Sequence, residues 1–299
     1  RAKQLMDWLY HRGVFDFDAM TDLNKKLREY LNQNCSLEIA MATKMQTSSD
    51  GTIKWVIDQG QAQAIETVYI PEKSRRTLCV SSQIGCLIDC PFCATGHQGF
   101  NRNLSSAEII GQVLLAKQAL RQELNQDHSI TNIVFMGMGE PLANFSETIK
   151  AIKILTDPNG FNLSRRRVTI STSGLVPQIM KLADYVNVSL AISLHAPFNK
   201  LRDELVPINR RHPIEALLDA CWFYAKNGRL KTVTFEYTLL KGINDQPQHA
   251  RQLCKLLKDR PAKVNLIPFN PFPGVAYQPT PVYQINEFRN ILLESGIMT

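Results

Sequence analysis

The stretch that decides the fold reads Thr77-Leu-Cys-Val-Ser-Ser-Gln-Ile-Gly-Cys-Leu-Ile-Asp-Cys-Pro-Phe-Cys93. Residues 77–81 form a short apolar run that predicts a β-strand. The stretch ends in Cys86, Cys90 and Cys93, and this C-x3-C-x2-C spacing places three thiols on the loop after that strand. Because loops at the carboxyl ends of parallel strands carry the sites of α/β folds, we expect a functional site here.

From residue 77 onward, short apolar runs alternate with helical patterns, which is typical of a parallel α/β domain. The predicted strands cover residues 77–81, 132–136, 167–172, 186–192, 232–239 and 263–267, and the predicted helices lie near 105–122, 145–156, 175–183, 214–227, 246–258 and 284–295. Ser105 and Glu108 have the spacing of a capping box at the start of the first helix. Six strand–helix units are too few for a closed eight-stranded barrel, so we expect a partial (β/α)6 barrel in an α/β fold.

The residues before this core predict two smaller parts. Residues 1–36 carry two amphipathic stripes separated by a turn-rich segment, which indicates a small helical accessory domain. Residues 37–75 predict a short β-meander, with strands at 43–47, 52–58 and 64–70 and a hairpin turn at Asp50-Gly51. The core then covers residues 76–299.

Composition limits the class of protein. The chain has 299 residues, of which 44% are apolar, and its net charge is +7 from 34 Lys and Arg against 27 Asp and Glu. The apolar content excludes a disordered or collagen-like chain, and the positive charge suggests a polyanionic partner. No apolar run reaches the roughly 18 residues of a membrane span, so no membrane partner is expected. The chain starts at Arg1 without a signal peptide, so we expect a trimmed N-terminus.

The seven cysteines are unevenly distributed. Four lie within residues 79–93, and the other three are scattered at Cys35, Cys221 and Cys254. An odd number with one dense group does not suit a secreted disulfide framework. We therefore expect a reducing, cytoplasmic location and one metal or redox site.

Three thiolates at this spacing can bind an iron–sulfur cluster, whose usual ligands are four cysteines. With only three, a four-iron cluster keeps one iron open to a substrate. The alternatives are a structural zinc site with His97 as the fourth ligand, and three unreactive buried cysteines.

Further motifs follow the cysteines in order: Gly99-Phe-Asn-Arg-Asn-Leu104, Met136-Gly-Met-Gly-Glu140-Pro-Leu142, Ser171-Thr-Ser-Gly174, Ser193-Leu-His195-Ala-Pro197 and Asn265-Leu-Ile-Pro-Phe-Asn270-Pro. Together with the cysteine stretch they resemble the RlmN/Cfr family of RNA adenine methyltransferases, within the radical S-adenosylmethionine (SAM) superfamily. The resemblance covers nearly the whole chain. Several long motifs in order make it more specific than the cysteine triad alone.

The resemblance implies a [4Fe-4S] cluster on Cys86, Cys90 and Cys93, with SAM bound to the open iron and cleaved to a 5′-deoxyadenosyl radical. It assigns SAM contacts to Gly139, Glu140, Ser171, Ser193, Leu194, His195 and Asn270, all at or after predicted strand ends. A carboxylate at Glu140 suits the methionine ammonium on charge grounds. The alternatives are a solvated loop carboxylate at Glu140 and a structural histidine at His195.

The resemblance also implies catalytic roles for two residues before the cysteine loop. Cys79 matches a cysteine that helps to release the product from a covalent enzyme–RNA adduct, and Glu66 matches an acidic residue near the substrate base. A small core residue at Cys79 and a solvated strand residue at Glu66 are the alternatives. A second, methyl-carrying cysteine is expected beyond Thr299, since Cys221 and Cys254 read as packing residues. The first explanation for the absence of this cysteine from residues 1–299 is truncation of the chain. The second is that the protein is a relative that only binds RNA.

The expected function is therefore methylation of C2 of a specific adenine in 23S rRNA and in tRNA, through a methyl-cysteine intermediate. Basic groups at 73–76, 165–167 and 210–212, with Arg102, are candidate RNA phosphate contacts. A flavodoxin-type reducing electron donor and a monomeric state are expected. The alternatives are a Cfr-type methyltransferase acting on adenine C8, and a non-enzymatic RNA-binding protein with a structural metal.

Overall fold

The computed structural model describes residues 1–38, 40–124 and 130–299. The strands it contains are β1 (Ala42–Thr47), β2 (Ile53–Asp58), β3 (Ala64–Pro71), β4 (Arg76–Cys79), β5 (Gln83–Gly85), β6 (Phe100–Asn103), β7 (Asn132–Phe135), β8 (Val168–Thr172), β9 (Ser189–Ser193), β10 (Val233–Leu239) and β11 (Ala262–Pro268). The α-helices are α1 (Ala2–Met6), α2 (Lys25–Asn34), α3 (Ala94–His97), α4 (Ser106–Leu124), α5 (Phe145–Thr156), α6 (Val176–Leu182), α7 (Asn199–Leu205), α8 (Ile214–Asn227), α9 (Pro247–Leu257) and α10 (Val282–Glu294). A π-helix covers Asp7–Arg12, and 3₁₀-helices cover Arg165–Arg167 and Pro207–Arg210.

The chain divides into two compact units. The first unit contains Arg1–Ile84, Asn103–Gly137 and Ser146–Val168, and the second contains Gly85–Arg102, Met138–Phe145 and Thr169–Thr299. Both units draw on separate parts of the chain, so they do not follow the three consecutive ranges predicted from the sequence. That division into 1–36, 37–75 and 76–299 stays a prediction.

The first unit is built around an antiparallel meander. β1 pairs with β2, β2 with β3, and β3 with β4, and β4 then pairs in parallel with β7. The alternation along the strands buries one face completely, with Trp55, Ile57, Ile65 and Tyr69 at 1% exposure or less. The hairpin at Asp50-Gly51 and the three-strand extension predicted from the sequence are confirmed.

The N-terminal residues form a helical module within the first unit. Phe17, Met20 and Leu23 are buried between the helices, and Trp8 and Leu27 pack against them. The two-helix prediction is confirmed. The π-helix was not predicted, because the extra residue per turn leaves no separate signature in an apolar stripe.

Main-chain atoms dock this module on α4. The Lys117 ammonium donates to the carbonyl of Tyr10 at 2.6 Å, and Arg121 donates to the carbonyls of His11 and Arg12 at 3.1 and 2.8 Å. These carbonyls end the π-helix, where cations are favoured by the helix dipole. Gly13 follows with φ +67°, and a Cβ there would lie 2.9 Å from an Arg121 nitrogen. Glycine is favoured here on conformational grounds, because φ is positive, whereas the nearby Arg121 nitrogen ends a flexible side chain that can shift.

Three further parallel strand pairs lie in the second unit. β8 pairs with β9, β9 with β10, and β10 with β11, all in parallel. Helix α6 packs with α8, and α9 packs with α10. This arrangement brings the carboxyl ends of β8 to β11, and the loops after them, to one edge of this sheet segment.

All six predicted core strands and all six predicted helices are present, with ends displaced by a few residues at most. The capping box is confirmed: Glu108 accepts from the Ser105 amide at 2.7 Å, and Ser105 Oγ accepts from the Glu108 amide at 3.2 Å. The α/β fold class with parallel core strands and an N-terminal accessory region is confirmed. The prediction missed α3, α7 and the small β5–β6 sheet, which are short and carry few apolar residues. Among the described residues, no helix is both long and apolar enough to cross a membrane.

Candidate active site

The cysteine loop of the second unit is closed at its base by two glycines. Gly85 has φ +71°, and a Cβ on it would lie 1.6 Å from the Gly99 carbonyl oxygen. The Cys86 amide donates to that same carbonyl at 3.0 Å. Only glycine at position 85 allows this approach, so residues 86–99 form a loop with fixed ends.

Inside the loop the three thiols are displayed by tight turns. Asp89 lies in the left-handed region at φ +53°, and the Cys93 amide donates to the Cys90 carbonyl at 3.0 Å. Helix α3 begins directly after Cys93. Its Gly96 packs against Cys90, whose carbonyl oxygen would be 2.8 Å from an added Cβ. Cys86, Cys90 and Cys93 are all free and partly buried.

The donor set fits a cluster better than a single metal ion. Burial raises the pKa of Cys86 to about 11 and raises that of Cys90 further, and the three sulfurs act electrostatically on one another. Even so, nowhere in the described ranges do three His, Cys, Asp or Glu side chains converge as one metal ion requires. A four-iron cluster binds each thiolate at a different iron, so its ligands stand further apart than the ligands of one zinc ion. His97 Nε2 lies 2.8 Å from the Pro91 carbonyl oxygen, which leaves only its Nδ1 for a metal ion.

Glu140 is a buried carboxylate fixed by hydrogen bonds. It is 3% exposed, and it follows Gly139, whose φ is +95°. One oxygen accepts from the amide and the hydroxyl of Ser173 at 2.7 and 2.8 Å, and the other accepts from the Leu142 amide at 3.0 Å. Burial raises the pKa of Glu140, and these hydrogen bonds oppose the rise. Its charge acts on Cys86 and Cys90, which brings this predicted residue to the cysteine loop.

Ser171 and Ser193 lie on one face of the parallel strands. Ser171 is paired with Ala191, and Ser193 is two residues further along the same strand. Because side chains alternate along a strand, the two serines point to the same side. Leu194, which follows, is fully buried. The structure therefore brings Ser171 and Ser193 to one face and places Leu194 at the strand end, and the SAM contacts expected of all three stay predictions.

Glu236 extends this face and was missed by the sequence analysis. It is paired with Ser193 on one side and with Asn265 on the other. Its carboxylate accepts from Asn265 Nδ2 at 2.6 Å, and burial raises its pKa. The sequence pattern of β10 did not indicate that Glu236 is buried, since an acidic residue in an apolar run has no local signature of burial.

His195 is buried in an unusual backbone conformation. Its φ is +56°, which is sparsely populated by residues other than glycine and is typical of functional sites. Its Nδ1 accepts from the Thr238 amide at 3.0 Å, and its carbonyl accepts from Asn244 at 2.8 Å. Burial lowers the pKa of His195 to about 3. The ring is therefore neutral, with its proton on Nε2, and it packs edge-on against Phe92 of the cysteine loop at 4.8 Å.

Asn270 follows β11 and is exposed. The preceding residue, Phe269, is buried in a cluster against which Cys90 and Phe92 pack. Asn270 therefore directly follows a residue of the cluster against which the cysteine loop packs.

Arg202 connects several of these parts and was also missed. Its guanidinium donates to the carbonyls of Ser173, Ser193 and Leu194, which lie at the carboxyl ends of β8 and β9. It is completely buried on α7, a helix that the sequence analysis did not predict. No sequence signal could have found it, since arginine is almost never fully buried.

Glu66 and Cys79 lie in the first unit, on adjacent antiparallel strands. Cys79 is paired with Val68, which is two residues from Glu66. The alternation of side chains places Glu66 and Cys79 on the same face as diagonal neighbours. That face is partly open, since the Glu66 side chain is 45% exposed and pairs with Lys54 at 2.9 Å. The surroundings of the Cys79 sulfur raise its pKa to about 12 by desolvation.

The remaining cysteines are separate from this arrangement. Cys221 is completely buried on α8, and Cys254 on α9 directs its sulfur toward the Ile291 carbonyl at 3.7 Å. Both positions agree with the predicted packing roles. Cys35 is exposed after α2.

Comparisons with known proteins agree with this geometry. Residues 80–254 match the radical SAM superfamily, and residues 1–37 match the N-terminal domain of ribosomal RNA large subunit methyltransferases. A dual-specificity RNA methyltransferase RlmN from Halorhodospira halophila is 52% identical over 297 residues, which are 99% of this chain and 81% of that protein.

Solved structures give the same picture. A radical SAM methyltransferase from Sphaerobacter thermophilus superposes with a TM-score of 0.93 at 43% identity, over 100% of this chain and 87% of that chain. A TYW1 structure with a bound lysine–pyruvate adduct has a TM-score of 0.54 at 12% identity, over 91% of this chain and 90% of that chain. The second likeness concerns the fold alone.

Proposed function

This chain belongs to the radical SAM superfamily and, within it, to the RlmN family of RNA methyltransferases, and from that membership we propose that it methylates C2 of a specific adenine in 23S rRNA and in tRNA. The observation that carries the proposal is the glycine-closed loop of three free cysteines on which the buried Glu140 charge acts. Cys86, Cys90 and Cys93 would hold a four-iron cluster, which would supply the electron for reductive cleavage of SAM.

The residues of the second unit hold the cofactors in this proposal. Cys86, Cys90 and Cys93 bind the cluster. Glu140, with its position fixed by Ser173 and Leu142, accepts a hydrogen bond from the methionine ammonium. The main chain at Gly139 can approach SAM closely, because glycine has no Cβ and adopts the positive φ of this position without strain.

Polar groups at the strand ends orient the rest of SAM. Ser171 and Ser193 present hydroxyls from one face, and Leu194 contributes its main chain. His195 offers an Nε2–H donor, because its Nδ1 already accepts from Thr238. Asn270 provides a side-chain amide directly after Phe269, in the loop that follows β11.

The residues of the first unit act on the base and the adduct. Cys79 is a thiol at neutral pH, because its pKa is raised to about 12, and it needs a base before it can react. Glu66 lies on the same face and serves to take or give a proton near the adenine. Cys79 then helps to release the product from the covalent enzyme–RNA adduct. In this proposal neither Cys221 nor Cys254 carries the transferred methyl group, because both are packed in helices.

The same proposal includes the partners. Basic residues at 73–76, 165–167 and 210–212 and Arg102 contact RNA phosphates, and residues 1–36 act as an RNA-positioning domain joined by 37–75 to a core at 76–299. The protein acts in the cytoplasm, which agrees with its seven free cysteines. It works as a monomer and receives electrons from a flavodoxin-type donor.

The test is carried out on the complete gene product after anaerobic cluster reconstitution. With SAM, a reductant and an RNA that carries the target adenine, we expect 5′-deoxyadenosine and a 2-methyladenosine nucleoside by mass spectrometry. An 8-methyladenosine product would instead assign the Cfr-type reaction. RNA binding without a cluster or product would assign the non-enzymatic alternative.

A matched pair of variants controls the test. Cys86→Ala should fold, lose iron and form no 5′-deoxyadenosine. Cys35→Ala, which removes an exposed cysteine outside the loop, should retain all three properties. Unfolding of the Cys86→Ala chain would indicate a structural metal site.

A further inference from the structure

Arg202 is a buried cation whose hydrogen bonds all go to neutral groups. Its side chain is 0% exposed. Nε donates to the Leu194 carbonyl at 3.1 Å, Nη1 to Asn209 Oδ1 at 2.9 Å, and Nη2 to the Ser173 and Ser193 carbonyls at 2.6 and 3.0 Å. In the described parts of the chain, no carboxylate lies within ion-pair distance of this guanidinium.

Neutral acceptors satisfy the donors of a guanidinium, but they do not neutralise its charge. Moving an uncompensated cation out of water is costly, and a buried charge is normally paired with an opposite one. An uncharged amide could have capped the same carbonyls. The presence of arginine at this position therefore calls for an anion nearby.

The cysteine loop supplies that anion. Cys90 packs against a cluster formed in part by Leu201, Leu205 and Val206, which flank Arg202 on α7 and just after it. The negative charge of a Cys90 thiolate favours charged Arg202, and Cys221 and Asp203 act in the same direction to a smaller extent; Asp203 is joined to Arg202 only through Asn209. Cys90 is a thiolate when it binds iron.

Arg202 is also joined to the carboxylate of the site. The Ser173 carbonyl accepts from Arg202, while the amide and hydroxyl of the same serine donate to Glu140. One residue thus links a buried cation to a buried anion across the end of β8. The same guanidinium holds the end of β9 through Ser193 and Leu194.

We propose that Arg202 is the buried counter-cation of the iron–sulfur cluster, and that its charge favours the reduced cluster while its hydrogen bonds fix the SAM-binding strand ends. This inference rests on the proposed function. Reduction adds one negative charge to the cluster, and a nearby cation in a low-dielectric interior stabilises the more negative state. Removing the charge should therefore make the cluster harder to reduce.

The experiment is a redox titration of the reconstituted cluster, followed by electron paramagnetic resonance. Arg202→Met removes the charge and keeps an apolar side chain, Arg202→Gln removes the charge and keeps hydrogen-bonding capacity, and Arg202→Lys keeps the charge. Lys200→Met is the matched control, because it removes one charge from an exposed position of the same helix. Apoprotein folding is checked for each variant by circular dichroism.

At a fixed potential, we expect the ratio of reduced to oxidised cluster to fall about tenfold in Arg202→Met and Arg202→Gln, which corresponds to a shift of about 59 mV. Arg202→Lys should stay near wild type, and Lys200→Met should be unchanged. If Arg202→Met does not fold, Arg202→Gln decides the result.

A wild-type ratio in a folded, neutral Arg202 variant would show that the arginine only ties the strand ends together, and would overturn the inference alone. An equal fall in Arg202→Lys would likewise assign the effect to hydrogen bonding rather than charge. A wild-type chain that forms no four-iron cluster would overturn the proposed function together with the inference.

Discussion

The buried network of the second unit and the open face of the first unit hold their polar groups in opposite ways. Glu140, His195 and Arg202 are almost fully buried, and each has at least two hydrogen bonds that fix it. Glu66 and Cys79 instead lie on a regular pair of strands, where the register sets their positions and one partly exposed ion pair joins Glu66 to Lys54. Groups that bind charged cofactors gain from a dry, fixed setting, whereas groups that act on an RNA base must remain reachable.

This difference implies different responses to substitution. A change in the buried network leaves hydrogen-bonding groups unsatisfied, so it should reduce stability as well as binding. A change on the open face should alter the chemistry with little effect on stability. Four substitutions or conditions test this contrast through the free energy of unfolding of the apoprotein.

The largest effect is expected for Glu140→Gln. Its new amide group would face backbone N–H donors that now meet carboxylate oxygens, so we expect a loss of about 2 kcal/mol. Urea unfolding measures it, and SAM affinity should fall in parallel. Glu66→Gln is the matched control on the open face, with an expected change within about 0.5 kcal/mol. Equal losses in the two variants would remove the contrast.

An effect of similar size between pH 7 and pH 5 is expected from the protonation of His195. Its pKa is about 3 in the folded protein, below the unfolded value of about 6.5, so protons bind preferentially to the unfolded chain. The stabilisation is complete above pH 6.5, and falls by about 1.4 kcal/mol per pH unit as the pH drops toward 3. His195→Asn, which tolerates a positive φ, should show a shallower slope in unfolding measured between pH 7 and 5. Identical slopes would contradict a buried neutral His195.

A smaller stability effect is expected for Cys79→Ala. The residue is only partly buried, so we expect a loss of about 1 kcal/mol or less. Turnover should nevertheless stop, and a covalent protein–RNA adduct should accumulate on denaturing gels after reaction with SAM. Cys221→Ala, at a completely buried position of α8, should instead lower the free energy of unfolding and trap no adduct. A Cys79→Ala enzyme with normal turnover would exclude the resolving role.

The smallest effect is expected for Lys54→Met. Its ion pair with Glu66 is partly exposed, and such pairs contribute about 0.5 kcal/mol. Stability should therefore change little in chemical denaturation. If Lys54 positions Glu66, the pH profile of the methylation rate should shift although the free energy of unfolding changes little. A stability loss above about 1.5 kcal/mol would show that this face is less open than the register indicates.

The sequence predicted the parts of the fold that depend on local patterns. The six core strands, the hairpin at Asp50-Gly51 and the capping box of Ser105 and Glu108 were all found from short-range spacing. The family resemblance, rather than periodicity, supplied the individual site residues.

The remaining features depend on contacts between distant segments. The burial of Arg202 requires the ends of β8 and β9 to meet α7, and the left-handed φ of His195 requires Thr238 and Asn244 to fix it. Glu236 becomes a neighbour of Ser193 only once β9 and β10 are paired. No local pattern encodes such contacts, so the network that orders the site was invisible before the fold was known.

The docking of the N-terminal module on α4 has a consequence for how such proteins diverge. Lys117 and Arg121 donate hydrogen bonds to the carbonyl oxygens of residues 10–12, and every amino acid has this oxygen whatever its side chain. The side chains at these positions add contacts of their own, since the Tyr10 ring lies 5.2 Å from that of Phe161 and Arg12 pairs with Asp7, so only the main-chain part of the attachment is independent of sequence. In the proposed function, this main-chain anchor allows the outer surface of the module to change, and with it the RNA that the module meets, while the attachment to α4 is kept.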